Sequence, residues 1–536
     1  MKKNSIMKTK YIWLCLLFVA FTACSNDDDS VQVDPTPELS AGAANFANFV
    51  SIGNSLTAGF TDNALFRAGQ ANSFPNLLSQ RFGLVGGSAF NQPLTSDNVG
   101  GLLLGGNPLP GFGPRLFFDG SGPASLPATP TTDIALNNPT GPFNNMGVPG
   151  LRSFQVAFNG LGNISGLGTN PPTANPYFVR MASSPNASVL EDALAQNPTF
   201  VSLWIGNNDV LGFATSGGDQ TRDAITSQGV FDASVQSIFT AISNSGAQAV
   251  VANIPDVTAI AFFNTVPFAP LSPANPDFGP QIPILNSIFG MLNQVYTALQ
   301  MPERSIVFAT DAASPVVIED EDLADISTTL ATILGGDPNF AAFVGSLGLP
   351  TDPQTIGLVA GLLGQTYGQT RQANENDLLT LTSLPIIGTI DSDTMTFLTN
   401  AGLPPTLAAQ FSAQGITLPL ADRFVLIPSE RQEIQTATAN FNATLQTAAT
   451  SAGFAFVDAN TILSTGLSSG DFELTNALVT GGAFSLDGVH PTARGYALIA
   501  NEFMRAIDAT YGSNFEAAGQ LYNIGDFPVI YPATLQ

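Results

Sequence analysis

The sequence predicts an α/β fold, a parallel β-sheet covered by helices on both faces, from strand-length apolar runs, helix-period segments between them and turn residues where the runs end. The apolar runs are residues 48–52 ending at Gly53, 200–205 ending at Gly206, 249–254 ending at Pro255, and 454–458. Continuous apolarity, rather than alternation, suits strands buried on both faces. Residues 234–243, 430–452 and 492–510 carry helical periodicity. The second of these opens at Pro428-Ser429-Glu430, and proline is favoured in the first turn of a helix.

Two stretches depart from this alternation. Residues 84–142 are rich in Gly, Pro and Asn and read as long surface loops. Residues 265–420 hold apolar helical patterns at 282–299, 323–333, 356–363 and 407–411, separated by Pro and Gly. They read as a helical insertion or cap. The expected plan is a signal peptide over 1–23, a disordered acidic linker over 24–43, a core over 44–264, the insertion over 265–420, and the rest of the core over 421–536.

Composition narrows the function classes. The chain has 536 residues, 44% of them hydrophobic, so a sizeable core is possible. Charged residues make up only 11%, which leaves Gly, Asn, Ser and Thr to cover much of the surface. All four lysines lie in the first ten residues, and the formal net charge is −25. Nucleic acid is excluded as a partner, because phosphates call for a basic surface. The single histidine is His490 and the two cysteines are Cys15 and Cys24. A structural zinc site of His and Cys ligands is therefore excluded.

The first residues read as a targeting segment. Lys2 to Lys10 form a basic region and residues 11–21 an apolar one, short for a bilayer span. Phe21-Thr22-Ala23-Cys24 resembles a bacterial lipobox, in which Cys24 receives the lipid. Residues 25–29, Ser-Asn-Asp-Asp-Asp, resemble the surface-export signal of Bacteroidetes lipoproteins. The expectation is an exported protein, lipid-anchored to the outer membrane through Cys24.

Four segments could carry chemistry. Gly53-Asn54-Ser55-Leu56 follows the first strand, where a serine hydroxyl can project from the carboxyl edge of the sheet beside free amide groups of the next helix. Asp487-Gly488-Val489-His490 precedes the last helix. Serine needs a base to become a nucleophile, imidazole titrates in the right range, and a carboxylate three residues away can orient it. Gly206-Asn207-Asn208-Asp209 follows the second strand and offers an uncharged amide donor. Asn145-Met146-Gly147-Val148-Pro149-Gly150 is a glycine loop through which a backbone amide can approach a ligand.

In order, and in the kind of element each follows, these four segments resemble the blocks of the SGNH, or GDSL, hydrolases. The resemblance covers roughly residues 44–265 and 420–510 and not the insertion. It implies a three-layer α/β/α sandwich with a parallel sheet of about five strands. It implies Ser55 as nucleophile, His490 as general base and Asp487 as the residue that orients it. The oxyanion hole would be the amides of Ser55 and Gly150 with the Asn208 side chain. No metal or organic cofactor is needed for such chemistry. Asn54 departs from the family's usual aspartate before the nucleophile, and the insertion is much larger than in compact members. The implied activity is a serine esterase or lipase acting on a small-molecule or lipid ester. The other readings are a carbohydrate acetyl esterase and a non-catalytic surface-binding lipoprotein.

Overall fold

The central sheet is built from five strands, β1 (Phe49–Gly53), β2 (Asn145–Gly147), β3 (Phe200–Trp204), β4 (Gln248–Ala252) and β5 (Ala455–Val457). The computed structural model describes residues 36–465, 467–469 and 472–535. Every pairing in the sheet is parallel, in the order β5-β4-β3-β1-β2. Every residue of β1 and β3 is buried, which matches their unbroken apolar sequences. Their one polar position is shared: Ser51 and Ser202 lie in register and their hydroxyls hydrogen-bond at 2.6 Å.

The helices that matter for the site are α1 (Ser55–Ala58), α2 (Phe74–Phe82), α3 (Asn208–Thr215), α4 (Gln228–Ser245), α5 (Pro428–Ala452) and α6 (Ala493–Tyr511). α4 and α5 pack together in one layer, and α2 and α6 in another, where α6 also lies against β4 and β5. The buried face of α6 presents Tyr496, Ala500, Phe503, Met504 and Ile507. Its start is capped by the Thr492 hydroxyl, which accepts from the Gly495 amide at 3.0 Å, and Gly512 ends it in the left-handed conformation. An aromatic cluster closes the amino-terminal side of the sheet, with Phe46 stacked on Phe82 at 3.9 Å between centroids and tilted against Phe200 at 4.8 Å.

The four expected strands are present, each shifted by no more than two residues at either end. The fifth, β2, is only three residues long and lies inside the glycine motif, where no apolar run marks it. Residues 84–142 are not wholly loop: they include two small antiparallel pairs, Leu103–Leu104 with Asn107–Pro108 and Leu116–Phe118 with Pro123–Ser125.

A second apolar cluster draws on residues from Val266 to Ile427. Its helices include Ile282–Ala298, Ser327–Gly336, Pro353–Tyr367 and Pro405–Gln410. Pro338–Ser346 and Ser392–Asn400 are further helices that the apolar pattern did not reveal. The segment also carries an antiparallel pair, Val317–Glu319 with Thr370–Gln372.

The signal peptide, Cys24 and residues up to 35 of the linker lie outside the described residues. The expected disorder of the linker does not extend to its last residues. The Ala43 amide donates to the Tyr511 carbonyl at 2.7 Å, and the Ser40 amide to Asn514 Oδ1 at 2.7 Å. Leu39 and Ala41 rest on the main core. Two apolar side chains give these residues enough contact to hold them against the end of α6. No helix among the described residues is long and apolar enough to cross a membrane.

The strand order reverses between β1 and β3. In open parallel sheets such a reversal leaves a crevice at the carboxyl edge, because the following helices depart to opposite faces. Ser55 follows β1 and Asn208 follows β3, so both stand at that crevice.

Candidate active site

Ser55 is the first residue of α1. Asn54 caps this helix: its Oδ1 accepts from the Leu56 amide at 3.0 Å. Its Nδ2 donates to Asn207 Oδ1 at 3.2 Å. An aspartate at position 54 could make the first bond and not the second, since an ionised carboxylate only accepts. The departure at Asn54 therefore couples the two strand ends that meet at the crevice.

Ser55, His490 and Asp487 form one continuous line. Ser55 Oγ lies 2.9 Å from His490 Nε2, and His490 Nδ1 lies 2.9 Å from Asp487 Oδ2. The serine and histidine are 435 positions apart in the chain. The His490 ring also sits against Phe60, with centroids 4.6 Å apart, and the Tyr496 hydroxyl fixes that segment by donating to the Phe60 carbonyl at 2.6 Å.

Asp487 is surrounded by donors. Oδ1 accepts from the Val489 amide (2.8 Å), the His490 amide (2.9 Å) and Ser485 Oγ (3.0 Å). Oδ2 accepts from the Asn63 amide at 2.9 Å besides the imidazole. Burial pushes this carboxyl up, but the His490 charge, its hydrogen bond and the His490 and Val489 amides outweigh it, and the pKa falls to about 2.

The turn at 61–63 holds the loop in place. Thr61 Oγ1 donates to the Pro491 carbonyl at 3.0 Å, the Asp62 amide to Ser485 Oγ at 2.9 Å, and the Leu486 amide to Asp62 Oδ1 at 3.0 Å. Burial raises the Asp62 carboxyl to about 7; the Leu486 amide opposes this, nearby Asp487 adds to it and Arg115 pulls the other way. Asp62, Asn63 and Ser485 escaped sequence reasoning. Their only signal is the left-handed backbone of Asp62 and Asn63, to which Asp and Asn are prone.

The other two segments converge on the same edge. Gly150 has φ +81°, a conformation that favours glycine. Among the described residues, the amides of Gly150 and Ser55 donate to no protein acceptor. Asn208 Nδ2 donates to the Leu151 carbonyl at 2.9 Å, which fixes the amide and leaves its second N–H for a ligand. Asp209 ties the two segments together by accepting from the Ser153 amide at 2.9 Å and from Ser153 Oγ at 2.7 Å.

An apolar pocket of about 90 Å³, partly open to solvent, has Ser55 and His490 in its lining. Leu56, Leu211, Val257, Ile260, Ile462 and Val489 are among its walls. None of its lining residues lies within 265–420.

Comparison with known families supplies independent information. Residues 362–503 match the family model described as GDSL-like Lipase/Acylhydrolase. The chain carries a GDSL-like hydrolase domain. Over those 142 of 536 residues the chain is similar to the GDSL-like hydrolases, a superfamily of esterases and lipases. The α/β architecture with its five-stranded parallel sheet agrees with that assignment. The matched segment of this GDSL-like hydrolase contains Asp487 and His490. It begins inside the insertion and does not include Ser55, Gly150 or Asn208. No curated protein and no solved structure matches the chain.

Proposed function

We propose that this GDSL-like hydrolase is a serine esterase that cleaves carboxylic esters with apolar acyl groups through an acyl-enzyme. The observation that most supports this reading is the line of two 2.9 Å contacts from Ser55 Oγ through the His490 ring to Asp487. Ser55 Oγ attacks the ester carbonyl as His490 Nε2 takes its proton. Asp487 holds the proton on Nδ1 and stabilises the imidazolium. The Ser55 and Gly150 amides and the spare N–H of Asn208 donate to the tetrahedral oxyanion. His490 returns the proton to the leaving alcohol, and water then repeats the sequence on the acyl-enzyme.

The apolar pocket beside Ser55 favours an acyl chain over a sugar, which would find few hydrogen-bond partners on those walls. Each methylene buried there is worth about 0.8 kcal/mol, roughly four-fold in kcat/KM. Across p-nitrophenyl acetate, butyrate and octanoate, kcat/KM is expected to rise by at least about ten-fold from acetate to butyrate. A strict preference for acetate would instead favour polysaccharide deacetylation. In the same assay Asn208→Ala should lower kcat on the order of 100-fold, the usual cost of one oxyanion donor. An unchanged kcat would remove Asn208 from the proposed hole.

The proposal includes export and lipid attachment at Cys24, supported by the sequence alone. Cys24→Ala should move the protein from the membrane fraction to the soluble fraction with esterase turnover intact. Retention of the variant on the membrane would refute the anchor.

A further inference from the structure

Among the described residues, one group of carboxylates converges away from the esterase site. Glu321 follows the strand Val317–Glu319. Asp422 opens the short helix Asp422–Phe424, where the chain returns from the insertion. Glu430 is the third residue of α5. One oxygen from each lies within 4.8 Å of the other two. None of the three takes part in an ion pair of the described residues, whereas Asp320, beside Glu321, is already paired with Arg371.

Convergence of acids does not by itself make a site. The second observation is the state of Glu430. Its side chain is only 5% exposed. Oε2 accepts from the Ile427 amide at 2.8 Å, while Oε1 has no hydrogen-bond donor. A buried carboxylate oxygen left without a donor is costly. The backbone is also moulded to hold that oxygen where it is. Gly218 has φ +87°, and a Cβ there would lie 1.8 Å from Glu430 Oε1. A Cβ on Gly217 would lie 2.1 Å from the Asp422 carbonyl oxygen. Two glycines thus let the chain close over the cluster.

We propose that Glu321, Asp422 and Glu430 bind a divalent cation of the calcium type, which fastens the insertion to the sheet domain. Oxygens bound to one Ca²⁺ at about 2.4 Å stand at most about 4.8 Å apart, a limit these three oxygens meet. A donor set of oxygen alone selects a hard cation, and the chain's one imidazole is engaged elsewhere. Mg²⁺ fits less well because it demands a near-ideal octahedron and gives up its water reluctantly. Asp219 and Glu319 bring further carboxylates toward Asp422, and Arg222 pairs with Asp219 at 3.8 Å rather than with the cluster.

The test uses the mature chain stripped with EDTA, titrated with CaCl₂ by calorimetry at neutral pH, and melted with and without the ion. The expected result is one Ca²⁺ per chain and a melting temperature raised by about 3 °C at saturating ion. Glu430→Gln and Glu321→Gln should each weaken binding at least about ten-fold, since losing even an indirect support of a ligand costs that much. In EDTA, Glu430→Gln should melt no lower than the parent, because an amide removes a like charge from the cluster. That comparison separates a lost ligand from a damaged fold, and Asp422→Asn provides a second variant. The proposal is overturned if no stoichiometric binding is seen, or if all three variants bind as the parent does. It is also overturned if the melting temperature ignores Ca²⁺ and merely falls as pH rises. In that case Glu430 and Glu321 share a proton that the folded state loses on titration.

Discussion

Ser55→Ala should lower turnover of p-nitrophenyl butyrate by about 10⁶-fold, the scale seen when the nucleophile of a hydroxyl–imidazole–carboxylate unit is removed. The reason lies in geometry: among the described residues Ser55 Oγ, at 2.9 Å, is the one hydrogen-bond partner of His490 Nε2. Folding should be nearly untouched. Among the described residues the hydroxyl's one partner is an imidazole that is 15% exposed and can turn to water. Fluorophosphonate labelling should fall in step with turnover, and the adduct in the parent should map to the peptide containing Ser55. Turnover undiminished in Ser55→Ala would end the esterase proposal. A parent that neither turns over nor labels would favour a lipoprotein that only binds.

Asp487→Asn should cost about 10⁴-fold in kcat while leaving the backbone in place. The carboxylate accepts from five donors, three on Oδ1 and two on Oδ2. An amide can satisfy only one of these sets with its single oxygen. If the oxygen takes the three donors on the Oδ1 side, the NH₂ group faces His490 Nδ1 and forces the proton onto Nε2. The ring can then no longer accept from Ser55. The same substitution has a signature in stability. Asp487 has a folded pKa near 2, below its ordinary value near 4. Its contribution is therefore fully present above pH 4 and is lost as pH falls toward 2. Between pH 6 and pH 2 the parent should lose about 2 kcal/mol more than Asp487→Asn in urea unfolding. Equal losses would mean that the carboxylate is not held by its donors.

Much of this arrangement was legible in the chain because the buried parallel strands leave unbroken apolar runs. β1 and β3 announce themselves this way, and the serine and Asn208 follow them directly. β2 did not, because three residues within Asn145-Met146-Gly147 carry no periodicity and owe their pairing to β1. The small antiparallel pairs in 84–142 are likewise set by contacts rather than by local preference. The residues that steady the site were hidden for a related reason. Asn63 acts through its backbone amide, so its side chain gives no sign of the role, and Ser485 is an ordinary loop serine until it is placed beside Asp487. The acid at 321 stands 101 positions before the one at 422 and meets the pair at 422 and 430 only after the insertion has folded back.

The separation of Ser55 from His490 has a consequence for biosynthesis. At about 5–20 residues per second, the ribosome delivers the imidazole roughly 20 seconds to a minute and a half after the hydroxyl. Throughout that interval the hydroxyl has no imidazole within reach, because His490 is the single histidine of the chain. On the proposed mechanism a growing chain is thus inert toward esters, and competence arrives only when α6 has docked.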